Sequence, residues 1–230
     1  MSPERDTPPA RTLDDPEYRA GVVDLLGLLG AGEYLAFERL VSEAALAPSL
    51  SARLRVAQIG LGELDHHYAL RKRLDELGVD PDQAMGAFLA PLERYHRGTA
   101  PSDWLESLVK AYVGDSIAND FYREMAVLLD PDTAALVLEV CSEQGKTEVA
   151  IEEVRTAIAA DPRISGRLAL WGRRLIGEMI SQAQTVAAER DALADLVMGE
   201  PVAGQLDLVA MLERLTTAHV QRMAALGLSA

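Results

Sequence analysis

The residues in this chain best suited to chemistry are acids and one histidine at helical spacing. Glu63 and His66, in Glu63-Leu-Asp-His66, lie three apart, so both point to one side of a helix and can ligate one metal ion. Their face continues through Val56, Ile59 and Leu70, so it points inward. Such a pair alone is a common accident of a solvated helix. Glu33 changes its weight. It sits among Leu26, Leu29, Phe37 and Leu40, 49 − 33 = 16 residues before Ser49, while Glu63 lies 63 − 49 = 14 after it. At about 1.5 Å per residue, an antiparallel hairpin turning near Ser49 brings the two carboxylates to one height. Two buried acids facing an imidazole are costly unless a cation joins them.

A second set repeats the pattern. Asp115 lies among Leu108, Ala111, Tyr112 and Ala118, 131 − 115 = 16 residues before Pro131, and Glu143 lies 143 − 131 = 12 after it. Gly32-Glu33-x4-Glu38 is echoed by Gly114-Asp115-x4-Asp120. Two hairpins with acids at matching offsets form the pattern of a carboxylate-bridged di-iron centre. One position departs from it. Lys146 stands three after Glu143, where a histidine would complete the set. Its ammonium must lose a proton before it can coordinate, and neighbouring carboxylates hold that proton more firmly.

The elements that position these residues are helices. Eleven prolines punctuate the chain, and the windows between them carry apolar residues at three- and four-residue spacing. The expected order is a disordered leader, 1–16, and a single domain, 17–230. Within it, helix one covers about 17–47 and helix two runs from a Ser49 or Ser51 cap to Leu77. A short crossover helix covers 83–95, helix three 102–129, helix four 131–160 and helix five 165–198. A sixth helix follows Gly204. No strand alternation appears. Two helical hairpins joined by a long connection, with two helices added at the C-terminus, make an all-α, ferritin-like four-helix bundle.

Composition agrees. Of 230 residues, 49% are apolar and 25% charged, as in a folded globular chain. No uninterrupted apolar run approaches the roughly 18 residues that span a bilayer, which excludes a membrane partner at this level. The first residues lack the apolar core of a signal peptide. A single cysteine, Cys141, rules out an internal disulfide and suits the cytoplasm. The net charge of −14 disfavours nucleic acid unless Arg71-Lys-Arg73 or Arg173-Arg174 makes a local basic patch.

Four stretches, GEYLAFERL, APLERYHRGTAPSDWLESLVKAYVGDSIANDFYRE, DPDTAALVLEV and IAADPRISGRLALWGRRLIGE, give the chain from about Leu25 to Leu196 its family character. It resembles actinobacterial ferritin-like proteins related to the tRNA isopentenyl-adenosine hydroxylase. The resemblance implies a non-haem di-iron centre that uses oxygen to hydroxylate an isopentenyl side chain, with tRNA as partner and an unidentified electron donor. The implied metal ligands are Glu33, Glu63, His66, Asp115 and Glu143, with Lys146 in the place of the sixth.

Iron is the expected metal and manganese the substitute: two ions if the family pattern holds, one or none if Lys146 disables its position. Two other readings share the fold, an iron-handling ferroxidase and a non-catalytic protein with a degenerate centre. Among the remaining residues, His67 reads as structural, His96 and His219 as surface residues, and Cys141 as core. Glu38 and Asp120 read either as supports of the ligands or as solvated acids. Tyr34, Tyr112 and Tyr122 read as bundle core beside the centre. Glu178 and Gln182 read as a helix–helix contact. The apolar positions Leu168, Trp171, Leu175, Met179 and Val186 on the long helix five predict a homodimer.

Overall fold

The computed structural model describes residues 12–142, 147–198 and 208–230, and these are helical without a strand among the described residues. Helix α1 is Pro16–Glu43, α2 Leu50–Glu76, α3 Pro81–Gly98, α4 Trp104–Val109 and α5 Asp115–Met125. Helix α6 is Pro131–Val140, α7 Thr147–Ala160, α8 Ile164–Glu189, α9 Asp191–Met198 and α10 Leu208–Ala225. Local chemistry sets the starts. Asp15, Ser49, Asp80, Asp103 and Asp130 each accept a backbone N–H of the turn they open, and Pro16, Pro81 and Pro131 stand where their missing N–H costs nothing. Gly78 closes α2 with a φ of 68°, a conformation that favours glycine.

Helix α1 is the axis of the molecule, flanked by α2, α3 and α9. A Cβ on Gly27 would come within 2.6 Å of the Ala84 carbonyl oxygen, and one on Gly30 within 2.1 Å of Met85. Glycine is what lets α3 lie directly on α1. Pro16–Leu46 is also long and apolar enough to cross a bilayer, with a mean hydropathy of 1.4 over 18 residues, a pattern that a search for uninterrupted apolar runs misses. Since 67% of that window is buried inside the bundle, the helix serves as core.

One apolar cluster joins α1, α2, α3, α6 and α9 with the end of α5 through Leu25, Leu29, Leu70, Phe88, Met125 and Val137. A second joins α4, α7, α8 and the C-terminus through Val109, Val154, Leu168, Leu175 and Met223. The two hairpin turns lie at opposite ends. Ser107 Oγ donates to Glu43 beside the first turn, whereas Arg73, near the far end of α2, reaches Asp130 and Thr133 at the second.

Several expected elements differ. Expected helix three is interrupted: after α4 the chain makes a π turn over Lys110–Gly114, then continues as α5 and a one-turn 3-10 helix, Ala126–Leu128. Expected helix four stops at Val140, with Cys141 as its cap, and resumes at Thr147. Expected helix five breaks at Arg190, whose φ of −134° and ψ of 83° leave the helical region. The crossover helix is longer than the expected 83–95, because Pro81 opens it and it runs on to Gly98. Of the positions taken to form a dimer face, Leu168, Trp171, Leu175 and Val186 are buried within the chain, so they supply no free surface. Residues 1–11, on which most of the leader falls, lie outside the described residues.

Candidate metal centre

Glu33 on α1 and Glu63 and His66 on α2 converge as the hairpin register requires. One ligand atom from each lies within 4.8 Å of the others. His66 Nδ1 is 3.3 Å from Glu33 Oε2 and 3.4 Å from Glu63 Oε2. Both carboxylates are buried, while the imidazole side chain is 31% exposed, so the group opens on the histidine side. His67 fixes the hairpin by bonding through Nδ1 to the Gly30 carbonyl oxygen at 2.8 Å, the structural role its position suggested.

Without a cation, the group holds protons. Burial pushes the Glu33 carboxyl up to about 8; the hydrogen bond with His66 opposes this, and the charge of Glu63 adds to it. Hydrogen bonds to Glu33 and Glu63 raise His66 to about 9 against the effect of burial. Two carboxylates and one imidazole are hard and borderline donors that suit iron or manganese, so the residues fit a divalent ion.

The far wall comes from the second hairpin. Burial pushes the Cys141 thiol up to about 12, and the charges of Glu33 and Glu63 reach it. Tyr122 is buried and its hydroxyl is raised well above the usual range, chiefly by burial and then by Cys141 and Glu33. Cys141 is thus core, as expected, but core beside the acids. Glu143 and Lys146 follow it directly and lie outside the described residues.

Asp115 is not brought to this group. Arg39 Nη2 donates to Asp115 Oδ2 at 2.6 Å, and Arg39 Nη1 donates to Glu43 Oε2 at 3.1 Å. The reason is the register. The two turns lie at opposite ends, and the π turn intervenes, so equal offsets from each turn do not give equal heights. Arg39 stands opposite Asp115, and Tyr122 stands near Glu33.

Arg39 is buried and flanked by two acids. Burial works against its charge, but Asp115 and Glu43 outweigh that and hold the guanidinium more firmly protonated than usual. Lys110, 1% exposed in the π turn, donates through Nζ to the Thr99 carbonyl oxygen at 2.7 Å. Burial and then Arg39 pull its ammonium down to about 8, against Glu43 and Asp115. Two signals for this cluster were open to sequence reasoning and were missed. Arg39 and Glu43 lie four apart on an apolar helix, and Lys110 interrupts the run Leu108-Val-Lys-Ala-Tyr-Val113.

Other residues follow their local partners. Tyr34 donates to Glu38 at 2.9 Å near the surface, so neither belongs to the centre. Asp120 pairs with Arg123 at 2.8 Å and Arg222 at 2.7 Å. His219 is buried, and burial with Arg222 lowers its affinity for a proton, so it is not the surface residue expected. Tyr112 is buried core. Glu178 lies 3.8 Å from Arg174 on its own helix. The arginines of the two basic groups are tied down: Arg71 to Asp82, Arg73 to Asp130 and Thr133, Arg173 to the Ser229 carbonyl and Arg174 to the Gly98 carbonyl.

This is the architecture of a ferritin-like protein. The model of the ferritin-like domain of actinomycetes matches residues 16–200, and the chain belongs to that family. No curated protein matches its sequence. Among solved structures, a Synechococcus protein described as "Protein 19 with aldehyde deformylating oxidase activity" superposes with a TM-score of 0.73 at 17% identity, with 95% of each chain covered. At that identity the likeness shows the fold alone.

Proposed function

We propose that this chain is an iron-carboxylate oxidase whose ion is held by Glu33, Glu63 and His66. The carrying observation is that these three side chains, drawn from two antiparallel helices, place their ligand atoms within 4.8 Å in a ferritin-like bundle. Iron, when bound, supplies redox chemistry with dioxygen. The chain's own residues position and shelter it. The two buried carboxylates offset the ion's charge, and His66 fixes the open side. The bond between His67 and Gly30 holds the ligand-bearing turn of α2 against α1. Buried Tyr122 and Cys141 close the far wall against water.

The second ion of a di-iron centre would draw on Glu143. Asp115 would have to leave Arg39 to take part, and Lys146 would bring an ammonium where an imidazole is needed. We therefore read one tightly held ion per chain. The finer reading, hydroxylation of an isopentenyl group on tRNA, has the quoted sequence stretches in its favour. The net charge of −14 and the engaged arginines weigh against a large polyanionic partner. The pairing of Asp115 with Arg39 favours a second reading, a protein that has kept the fold with a reduced centre.

Metal analysis after purification, with iron and manganese offered in turn, tests the proposal. The expected result is about one ion per chain, lost in Glu63→Gln and in His66→Ala, with oxygen uptake in the iron form. Lys146→His should raise the content towards two. No bound metal in the unaltered chain would refute the iron reading and leave the reduced-centre protein.

A further inference from the structure

Helix α2 is apolar on two sides. Val56, Glu63 and Leu70 are buried in the bundle, whereas Leu50, Leu54, Leu61 and Tyr68 are 56–72% exposed. At about 100° per residue the two sets lie on opposite faces of the helix. Ala57 and Leu64 are half-buried between the exposed four. Together the six recur in alternating steps of four and three, at 50, 54, 57, 61, 64 and 68. That spacing is the a/d seam of a coiled coil, which a merely solvated face has no need to keep.

Helix α1 widens the seam along one edge. A Cβ on Gly60 would meet Val41 Cγ2 at 3.6 Å, and the Tyr34 ring lies 5.5 Å from that of His67. Gly60 and His67 directly precede the seam residues Leu61 and Tyr68, so Val41 and Tyr34 flank it. Val41 is itself exposed. The exposed apolar side chains add up to roughly 500 Å² per copy, in the upper range for the largest patch on a monomer.

Shape and charge select the occupant. We propose that a second copy of this chain docks here, its α2 antiparallel about a two-fold axis level with residue 59. Leu50 is then set opposite Tyr68, Leu54 opposite Leu64 and Ala57 opposite Leu61, so large meets small in each self-complementary layer. A parallel pair would set Ala57 against itself, leaving a gap, and crowd two tyrosines together. The chain carries −14, yet residues 50–68 hold Arg53 and Arg55 against Glu63 and Asp65, 2 − 2 = 0. On the seam's other edge Gln58 meets itself and Ser51 meets Asp65, with no like charges opposed. An anionic membrane would instead face the acidic remainder of the molecule. The apolar patch supplies more than half of the roughly 800 Å² that each partner of a stable interface contributes, and a polar rim adds to it.

Sedimentation equilibrium on the full chain should give twice the 24.9 kDa chain mass, with a Kd on the order of 10 μM or tighter. Leu61→Glu brings two acids together near the axis and should weaken the dimer by at least about 100-fold. Leu170→Glu, at a similarly exposed leucine of α8, should leave it unchanged. A short bis-maleimide reads the register. Gln58→Cys should link to itself, its two copies lying about 3 Å apart along the helix, whereas Ser51→Cys, at about 24 Å, should not. Cys141 is buried and does not compete. Metal content should be unchanged in Leu61→Glu, so the dimer is tested apart from the metal reading. Three results would each overturn the proposal: a monomer at about 100 μM, whether or not it binds anionic vesicles, a dimer that Leu61→Glu weakens no more than Leu170→Glu, or Ser51→Cys linking as readily as Gln58→Cys.

Discussion

Two buried polar clusters share α1, six residues apart, and they resolve the same problem in different ways. Around Arg39, the acids Glu43 and Asp115 meet a fixed guanidinium, with the Lys110 ammonium close by. Around Glu33, the acids meet one imidazole and no fixed cation among the described residues. The first cluster balances its two acids with charge as folded. The second takes up protons, as the raised Glu33 and His66 show, and has room for a metal in their place. A bundle that buries acids twice on one helix has thus built a strut at one level and a receptor at the other.

The largest expected effect breaks the strut. Arg39→Met keeps much of the volume but leaves Glu43 and Asp115 facing each other, and should cost about 3–5 kcal/mol in urea unfolding. Adding Glu43→Gln and Asp115→Asn should recover most of that loss. At the receptor the sign reverses. Glu63→Gln should leave the metal-free chain at least as stable, since one of two mutually repelling acids is gone. It should weaken metal binding by about 100-fold or more, roughly 2.7 kcal/mol, read by competition with a chelating dye. A loss of metal-free stability in Glu63→Gln comparable to that in Arg39→Met would erase the distinction.

His96 sharpens the comparison through pH. Its folded affinity for a proton is depressed to about 3, from an unfolded value near 6.5. Between those values the unfolded chain binds the proton and the folded one does not, so stability falls as pH drops through this window. From pH 6.5 to 5 the loss is at most about 2 kcal/mol, taking 1.36 kcal/mol per unit. The stability difference between the parent and His96→Gln should change by up to that amount. An unchanged difference would mean that His96 protonates freely and that its surroundings are wetter than its burial beside Arg39 and Lys110 implies.

How much of this could be read in advance follows from the type of signal. Prolines and capping side chains (Asp15, Ser49 and Asp130) mark the starts of α1, α2 and α6 because their effects are local. Glu33 meets Glu63 and His66 because a hairpin with a short turn carries its register across the turn. Asp115 fails because its height depends on a long crossover, which no local count reaches. The π turn at Lys110–Gly114 adds a shift without any composition of its own. The break at Cys141 has no proline to announce it, and Arg190 leaves the helix where it bonds to Asp24 of α1, a partner remote in sequence. Short-range chemistry was legible, and long-range pairing was not.

The smallest expected effect isolates burial itself. Arg214 on α10 grips Glu124 on α5 with two bonds, Nε to Oε1 at 2.7 Å and Nη2 to Oε2 at 2.6 Å. Its shorter contact matches that between Arg39 and Asp115, yet the Arg214 side chain is 53% exposed against 6% for Arg39. Water screens the outer pair and solvates whichever partner is left, so Arg214→Ala should cost only about 0.5–1 kcal/mol. The hydrogen bonds from Arg214 hold the Glu124 carboxyl below its usual value, so this contribution is present above about pH 4.5 and is lost as pH falls and the acid protonates. High salt should shrink it as well, whereas the penalty of Arg39→Met should change little. If the two penalties proved equal, or equally sensitive to salt, the strut at Arg39 would owe its strength to geometry rather than to being dry.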